Sequence, residues 1–76
     1  MPGIRRLKVN HVGEILLKCC TGQYMVFMYV PGHDNRHVVA IRDNYVFDST
    51  GLYVMLIGLL QTFAKYIILK VLIWLK

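Results

Sequence analysis

Hydrophobic and polar positions between residues 37 and 50, HVVAIRDNYVFDST, predict a tight β-hairpin. Two runs rich in β-branched and aromatic residues flank the dipeptide Asp43-Asn44, and both of these residues tolerate the left-handed conformation that a two-residue turn requires. Counting outward from this turn places Arg42 opposite Tyr45. The sequence therefore predicts two antiparallel strands in a defined register.

The predicted hairpin brings a histidine and a carboxylate together. In its register Val39 lies opposite Asp48, and His37 is the diagonal neighbour of Asp48. Because successive side chains of a strand point to opposite faces, His37 and Asp48 share one face, with Cβ atoms roughly 7 Å apart. A carboxylate bound to one imidazole nitrogen leaves the other nitrogen available as a general base, so the pair is a candidate catalytic dyad. The alternative is a solvated His and Asp on the exposed face of a hairpin.

Helical spacing over residues 11–20, HVGEILLKCC, predicts one N-terminal helix that ends at Gly22. Residues 23–30, QYMVFMYV, have the content and length of a strand, and they are apolar at nearly every position, which predicts burial on both faces. The cluster PGHDNR at 31–36 predicts a turn. Together with the hairpin, this strand gives a three-stranded antiparallel meander.

The composition changes sharply after Gly51. Residues 52–76 contain very few polar side chains, and on a helical wheel one narrow stripe holds Gly58, Gln61, Thr62, Lys65 and Lys76. This pattern predicts a long apolar C-terminal helix that lies in a membrane, on its surface or against the protein core. A strand over YIILKVLIWL is the remaining alternative. The expected fold class is α+β, with an N-terminal helix, a three-stranded antiparallel sheet with a tight hairpin, and the long apolar C-terminal helix.

The 76 residues predict a single small domain with a basic lead-in at 1–8, a helix and β-meander at 9–51, and the apolar tail at 52–76. Hydrophobic residues make up 57% of the chain and charged residues 17%, which excludes a disordered chain. So small a domain leaves apolar surface uncovered, and we expect residues 52–76 to contact a membrane surface or a protein partner, or a homo-oligomer to form. The net charge of +5 suits anionic partners. No basic motif interleaved with aromatic residues appears, so nucleic acid is not an expected partner.

The two cysteines, Cys19 and Cys20, are adjacent, and disulfide geometry disfavours a bond between neighbours. Because the chain also lacks an apolar secretory leader, we expect a cytoplasmic location, with membrane association through the tail. The cysteines and the pair His33 and His37 do not match a structural zinc site, whose cysteines are separated by two to four residues. We therefore expect no metal and no cofactor.

Several short motifs occur between residues 10 and 50. They are Val12-Gly13-Glu14, Gly22-Gln23-Tyr24, His37-Val38-Val39-Ala40, Asp43-Asn44 and Phe47-Asp48-Ser49. In this order they resemble small phage and bacterial papain-like proteins. The resemblance implies a cysteine-peptidase-like fold in which His37 is the base and Asp48 orients it. It also implies a nucleophilic cysteine on a helix well before this region, for which this chain has no room.

Cys20 and Cys19 are the candidate nucleophiles that this chain itself offers. Both fall at the C-terminus of the predicted helix, where the helix dipole disfavours a thiolate. We therefore expect a partial or degenerate papain-like cysteine-peptidase domain that carries His37 and Asp48 and is not catalytic alone; if active, it would be a cysteine hydrolase. The alternative is a small basic membrane-associated or partner-binding protein that acts through its apolar C-terminal helix.

Overall fold

The computed structural model describes residues 3–19, 21–33 and 35–75. In chain order the elements are β1 (Gly3–Leu7), α1 (Val12–Lys18), β2 (Gln23–Tyr29), β3 (Arg36–Arg42), β4 (Tyr45–Asp48), β5 (Tyr53–Met55), a 3₁₀ turn (Leu56–Gly58), α2 (Leu59–Thr62) and β6 (Ile67–Leu75). The six strands form one antiparallel sheet with the order β1-β6-β2-β3-β4-β5. The expected combination of a three-stranded sheet and a long C-terminal helix is therefore wrong.

The apolar tail accounts for most of this difference. Residues 52–76 were expected to form one long helix, but they contain β5, the 3₁₀ turn, α2 and β6. The alternative strand over YIILKVLIWL is confirmed, because β6 spans Ile67–Leu75 and pairs with β1 on one side and β2 on the other. Pairing on both edges satisfies the backbone N–H and C=O groups that a helix would satisfy internally, and the β-branched residues of this segment suit a strand.

The long helix was also the basis of the expected membrane association. Among the residues that the structure describes, no helix is long and apolar enough to cross a membrane. Lys65, placed at mid-helix in that prediction, lies exposed in the turn between α2 and β6. The prediction of a membrane-associated C-terminal helix is therefore wrong. The segment contains the short helix α2 and then β6, which lies between two other strands of the sheet.

The predicted hairpin is confirmed with its register. Arg42 pairs with Tyr45 and Val39 with Asp48, as counting from the turn predicts. Asp43 and Asn44 have φ angles of 50° and 71°, so both turn residues are left-handed. A two-residue turn of this kind matches the right-handed twist of the flanking strands.

The core lies on one face of the sheet. Both helices and the 3₁₀ turn bury side chains there against the strands, in a cluster formed by Val12, Ile15, Cys19, Val26, Met28, Val39, Ile41, Val46, Leu56, Leu59, Phe63, Ile68 and Val71. β2 was expected to be buried on both faces, but only the side chains on this face are fully buried, and Met25 on the opposite face is 46% exposed. The sheet therefore has one covered face and one apolar face without a helix.

Candidate functional site

The site begins with the two polar residues that the hairpin places on the covered face. His37 is the second residue of β3 and Asp48 is the last residue of β4. His37 is two residues from buried Val39, and Asp48 is two residues from buried Val46. Residues two apart in a strand share a face, so both side chains point toward the core side. His37 Nε2 lies 3.2 Å from Asp48 Oδ2, and the two side chains are 21% and 5% exposed. The structure therefore brings together the two residues that the register predicted to be neighbours.

Asp48 is held in place by the turn that follows it. Its Oδ1 accepts hydrogen bonds from the Thr50 hydroxyl at 2.7 Å, from the Thr50 backbone N–H at 3.0 Å and from the Leu52 N–H at 2.9 Å. Among the groups that lower the pKa of Asp48, the Thr50 hydroxyl has the largest effect. The backbone N–H donors and His37 lower this pKa further, whereas burial raises it. The carboxyl group is therefore ionised at neutral pH, with Oδ2 left for the histidine.

The charge on Asp48 decides the tautomer of His37. An ionised carboxylate only accepts hydrogen bonds, so the bond to Asp48 requires a proton on His37 Nε2. In the neutral ring the lone pair then lies on Nδ1. This nitrogen has no hydrogen-bond partner among the described residues, and every fully buried side-chain nitrogen or oxygen in that part of the chain is satisfied. No other described group holds Nδ1, and its lone pair is the free acceptor of the neutral ring.

Two aromatic rings hold the imidazole from the side of α2. The Phe63 ring centroid lies 5.8 Å from that of His37 and the Tyr66 centroid 5.6 Å from it, while Phe63 and Tyr66 pack edge to face at 5.4 Å. A cleft of about 410 Å³ opens beside these rings, with Arg36, Thr50 and Tyr66 in its wall together with His37. The imidazole is thus oriented by a carboxylate and supported by rings, with a solvent-filled space next to it.

Of the two candidate nucleophiles, the structure describes Cys19, which is not part of the wall of this cleft. Cys19 caps the C-terminal end of α1, as predicted, and is fully buried. The adjacent Lys18 carbonyl accepts a hydrogen bond from the Tyr24 hydroxyl. Tyr24 pairs with Ile41, four residues along β3 from His37 and therefore about 13 Å away at the backbone. Cys20 lies outside the described residues.

Three residues of the site were not identified from the sequence. Thr50 follows Asp48 in the run Asp-Ser-Thr-Gly, a pattern in which a side-chain carboxylate commonly accepts from the backbone two residues later, so that signal was present. Phe63 and Tyr66 lie where a continuous helix was expected, and no local signal indicates that they surround His37.

The described residues contain no group of three or more His, Cys, Asp or Glu side chains that could hold a metal ion. His33 lines the same cleft as His37, but the zinc arrangement considered from the sequence would also need the cysteines. Cys19 is buried at the C-terminal end of α1 and does not line this cleft.

No protein-family model matches this chain, and searches of the curated proteins and of the solved structures return no match either. The papain-like and phage resemblance therefore has no support from comparison. The chemistry of the site rests on the geometry of His37 and Asp48 alone.

Proposed function

We propose that His37 and Asp48 are the proton-transfer half of a cysteine-hydrolase-type centre, with the attacking thiol supplied by a second polypeptide that enters the cleft. The observation that carries the proposal is the 3.2 Å contact between His37 and an Asp48 carboxylate that three other donors fix. That arrangement supports a single tautomer and leaves Nδ1 as the basic atom.

The proposed reaction needs no further group from this chain. His37 Nδ1 takes the proton of the thiol as the sulfur attacks an amide or thioester carbonyl, and the Asp48 carboxylate stabilises the imidazolium that forms. The imidazolium then returns the proton to the amine or thiol that departs as its bond to the carbonyl carbon breaks, and water activated by Nδ1 hydrolyses the acyl thioester and releases the attacking thiol. A positioned base of this kind contributes about 10²–10⁴-fold to the rate.

A hydroxyl of the cleft wall is a poorer candidate for the nucleophile. The Thr50 hydroxyl donates to Asp48 at 2.7 Å, so moving it to attack a substrate would release the carboxylate that orients His37. The Tyr66 ring packs against the imidazole at 5.6 Å and supports it. These contacts favour a nucleophile that comes from outside.

The proposal is tested by placing a thiol in the cleft. In Tyr66→Cys and in Val30→Cys the new sulfur replaces a residue of the cleft wall, and Leu17→Cys on exposed α1 is the matched control. Alkylation by iodoacetamide near pH 6.5, followed site by site with mass spectrometry, measures how much of each thiol is ionised.

We expect at least one cleft cysteine to be alkylated about three- to tenfold faster than Leu17→Cys, because proton transfer to His37 lowers its thiol pKa. The excess rate is lost when His37→Gln is added and reduced when Asp48→Asn is added. Rates equal to that of the control in both folded cleft variants, or an excess that persists without His37, would contradict the proposal.

The apolar C-terminal helix that the alternative function requires does not form. The segment that would have formed this helix is paired in the sheet as β6.

A further inference from the structure

The side of the sheet opposite the helices, which we call the open face, carries two continuous rows of side chains across all six strands. From β1 to β5 the first row is Ile4, Trp74, Gln23, Arg42, Tyr45 and Met55. The second row is Arg6, Leu72, Met25, Ala40, Phe47 and Tyr53. These residues alternate along each strand with those that face the helices.

Aromatic rings are exposed at both sides of the open face. Trp74 is 50% exposed, Phe47 39% and Tyr53 56%. The ring of Tyr53 stacks on Tyr45 with centroids 4.9 Å apart and meets Phe47 edge to face at the same distance. The rings of Tyr53 and Phe47 are thus held by packing on each other and on Tyr45, while part of each ring remains exposed.

The open face is also cationic. Arg6, Arg36, Arg42 and Lys70 occupy its strand positions, and the Lys70 ammonium lies 4.6 Å from the centroid of Phe27. The described strand residues of this face include no carboxylate, since Asp48 points to the core side, and the nearest one belongs to the turn residue Asp43, whose Oδ2 lies 3.7 Å from Arg42 Nε. The charge therefore selects an anionic partner, and it opposes the packing of two copies face to face.

A depression of about 210 Å³ lies between two groups that bind planar rings. Its wall includes Trp74 and Arg42, and its floor includes Ala40, whose short side chain leaves the space open. Trp74 and Arg42 both pair with Gln23, from opposite sides, so their backbones are about 10 Å apart. Gln23 belongs to the same row, so a flat ring would lie over its side chain and contact the indole on one side and the guanidinium on the other.

We propose that the open face binds single-stranded nucleic acid, with one base held between Trp74 and Arg42, further bases stacked on Phe47 and Tyr53, and phosphates neutralised by Arg6, Arg36 and Lys70. The combination of cations with exposed rings on a sheet is what a sequence-tolerant single-strand platform requires. The expectation of no nucleic-acid partner rested on the lack of a linear motif. Here the basic and aromatic residues interleave across strands, not along the chain.

Binding is measured by the fluorescence anisotropy of a short labelled oligothymidylate at about 50 and 200 mM salt. We expect a salt slope of about −2 to −3, from about 0.7 per neutralised phosphate of a single strand. Arg6→Gln should weaken binding several-fold and make the slope less steep by about 0.7, and Arg42→Gln, which removes the guanidinium beside the base, should also weaken binding several-fold. Arg5→Gln is the matched control, because Arg5 is exposed on the same sheet but alternates with Arg6 toward the other face.

Stacking is tested separately from charge. Trp74→Ala should weaken binding about tenfold, whereas Leu17→Ala on exposed α1 should not change it. Because Trp74 is the single tryptophan of the chain, quenching of its fluorescence by unlabelled oligothymidylate reports contact with the wild-type face directly. His37→Gln should leave binding unchanged, so this proposal and the hydrolase proposal fail independently.

Three outcomes would overturn the inference. If Arg42→Gln and Arg5→Gln weaken oligonucleotide binding equally, binding depends only on the net charge of the protein and not on the open face. Binding to phosphatidylserine vesicles without binding to the oligonucleotide would assign the face to an anionic membrane. Self-association in sedimentation equilibrium that is abolished by Trp74→Ala, with no oligonucleotide binding, would assign the face to a second copy of the chain.

Discussion

At the scale of single residues, the geometry of the site depends on how Asp48 is held. Its Oδ1 takes three hydrogen bonds from the turn that follows, which leaves Oδ2 for the imidazole. These donors fix the carboxylate without any contribution from His37, so the carboxylate orients the histidine and not the reverse. Asp48 is therefore the residue whose loss should change both the stability of the turn and the state of His37.

The pH dependence of stability follows from the lowered pKa of Asp48. A carboxyl group whose pKa is lower in the folded than in the unfolded state stabilises the fold above its unfolded pKa of about 3.9, and this stabilisation is lost as the pH falls through the folded pKa. We expect the urea midpoint of the wild type to exceed that of Asp48→Asn at neutral pH, and the gap to close below about pH 4. Asp43→Asn, which removes an exposed carboxylate 3.7 Å from Arg42, is the control for the loss of one negative charge and should change the urea midpoint little at neutral pH. A gap that stays constant with pH would contradict this prediction.

At the scale of elements, the hairpin shows what the sequence predicts well. The turn and the register follow from local chemistry: two residues that tolerate positive φ, flanked by strand-forming runs whose side chains alternate. The pairing of His37 with Asp48 follows from that register and from nothing else. The half of the site that depends on short-range geometry was therefore predictable.

The turn conformation makes a direct prediction about Asn44. Its φ of 71° penalises a β-branched residue, so Asn44→Val should lower the free energy of unfolding by about 1–2 kcal/mol, while Asn44→Gly should be neutral or slightly stabilising. Asn10→Val, at an exposed position where φ is not positive, is the matched control and should have a small effect. Urea denaturation measures all three variants, and equal effects of the two valine substitutions would contradict the turn geometry.

The tail shows what the sequence cannot decide locally. Its few polar residues fit a helical stripe, and its β-branched residues fit a strand. Which one forms depends on the open edges of β1 and β2, between which β6 is inserted. Phe63 and Tyr66 reach His37 only because of that insertion, so their part in the site could not be inferred.

The strand assignment of β6, with its bulge at Leu69, predicts unequal sensitivity to truncation at two nearby apolar positions. Val71 is fully buried, so Val71→Ala should destabilise the protein by roughly 2 kcal/mol. Leu69, two residues earlier, is 38% exposed at the bulge opposite β2, so Leu69→Ala should cost well under 1 kcal/mol, on the order expected for surface sites. Chemical denaturation of the two variants provides the test, and similar losses at both sites would argue for a helix buried on all sides.

At the scale of the whole molecule, the two faces of one sheet present different side chains. The covered face builds the core and ends in the His37–Asp48 cleft, while the open face presents rings and cations to solvent. The strand order places β6, the last strand, between β1 and β2, so the sheet closes only after the two ends of the chain have met. Forming it requires contacts between residues that are more than sixty positions apart, such as Leu7 with Val71.

This topology predicts slow folding for so small a domain. Non-local strand pairing requires loop closure before contacts form, so refolding should take milliseconds to seconds and not microseconds. Trp74 lies in β6, so its fluorescence in stopped-flow experiments reports the pairing of this strand directly. Completion of the Trp74 signal within microseconds would indicate that β6 forms by local contacts, contrary to the strand order.

The most direct test of the central claim is the tautomeric state of His37, read from the ¹⁵N chemical shifts of its ring in a long-range ¹H–¹⁵N spectrum at neutral to mildly basic pH. The account predicts a proton on Nε2 and a lone pair on Nδ1, and it predicts that Asp48→Asn abolishes this preference, because the 3.2 Å contact is its cause. A ring protonated on Nδ1, or one whose tautomers do not change when Asp48 is replaced, would show that the carboxylate does not orient the imidazole and would contradict the account.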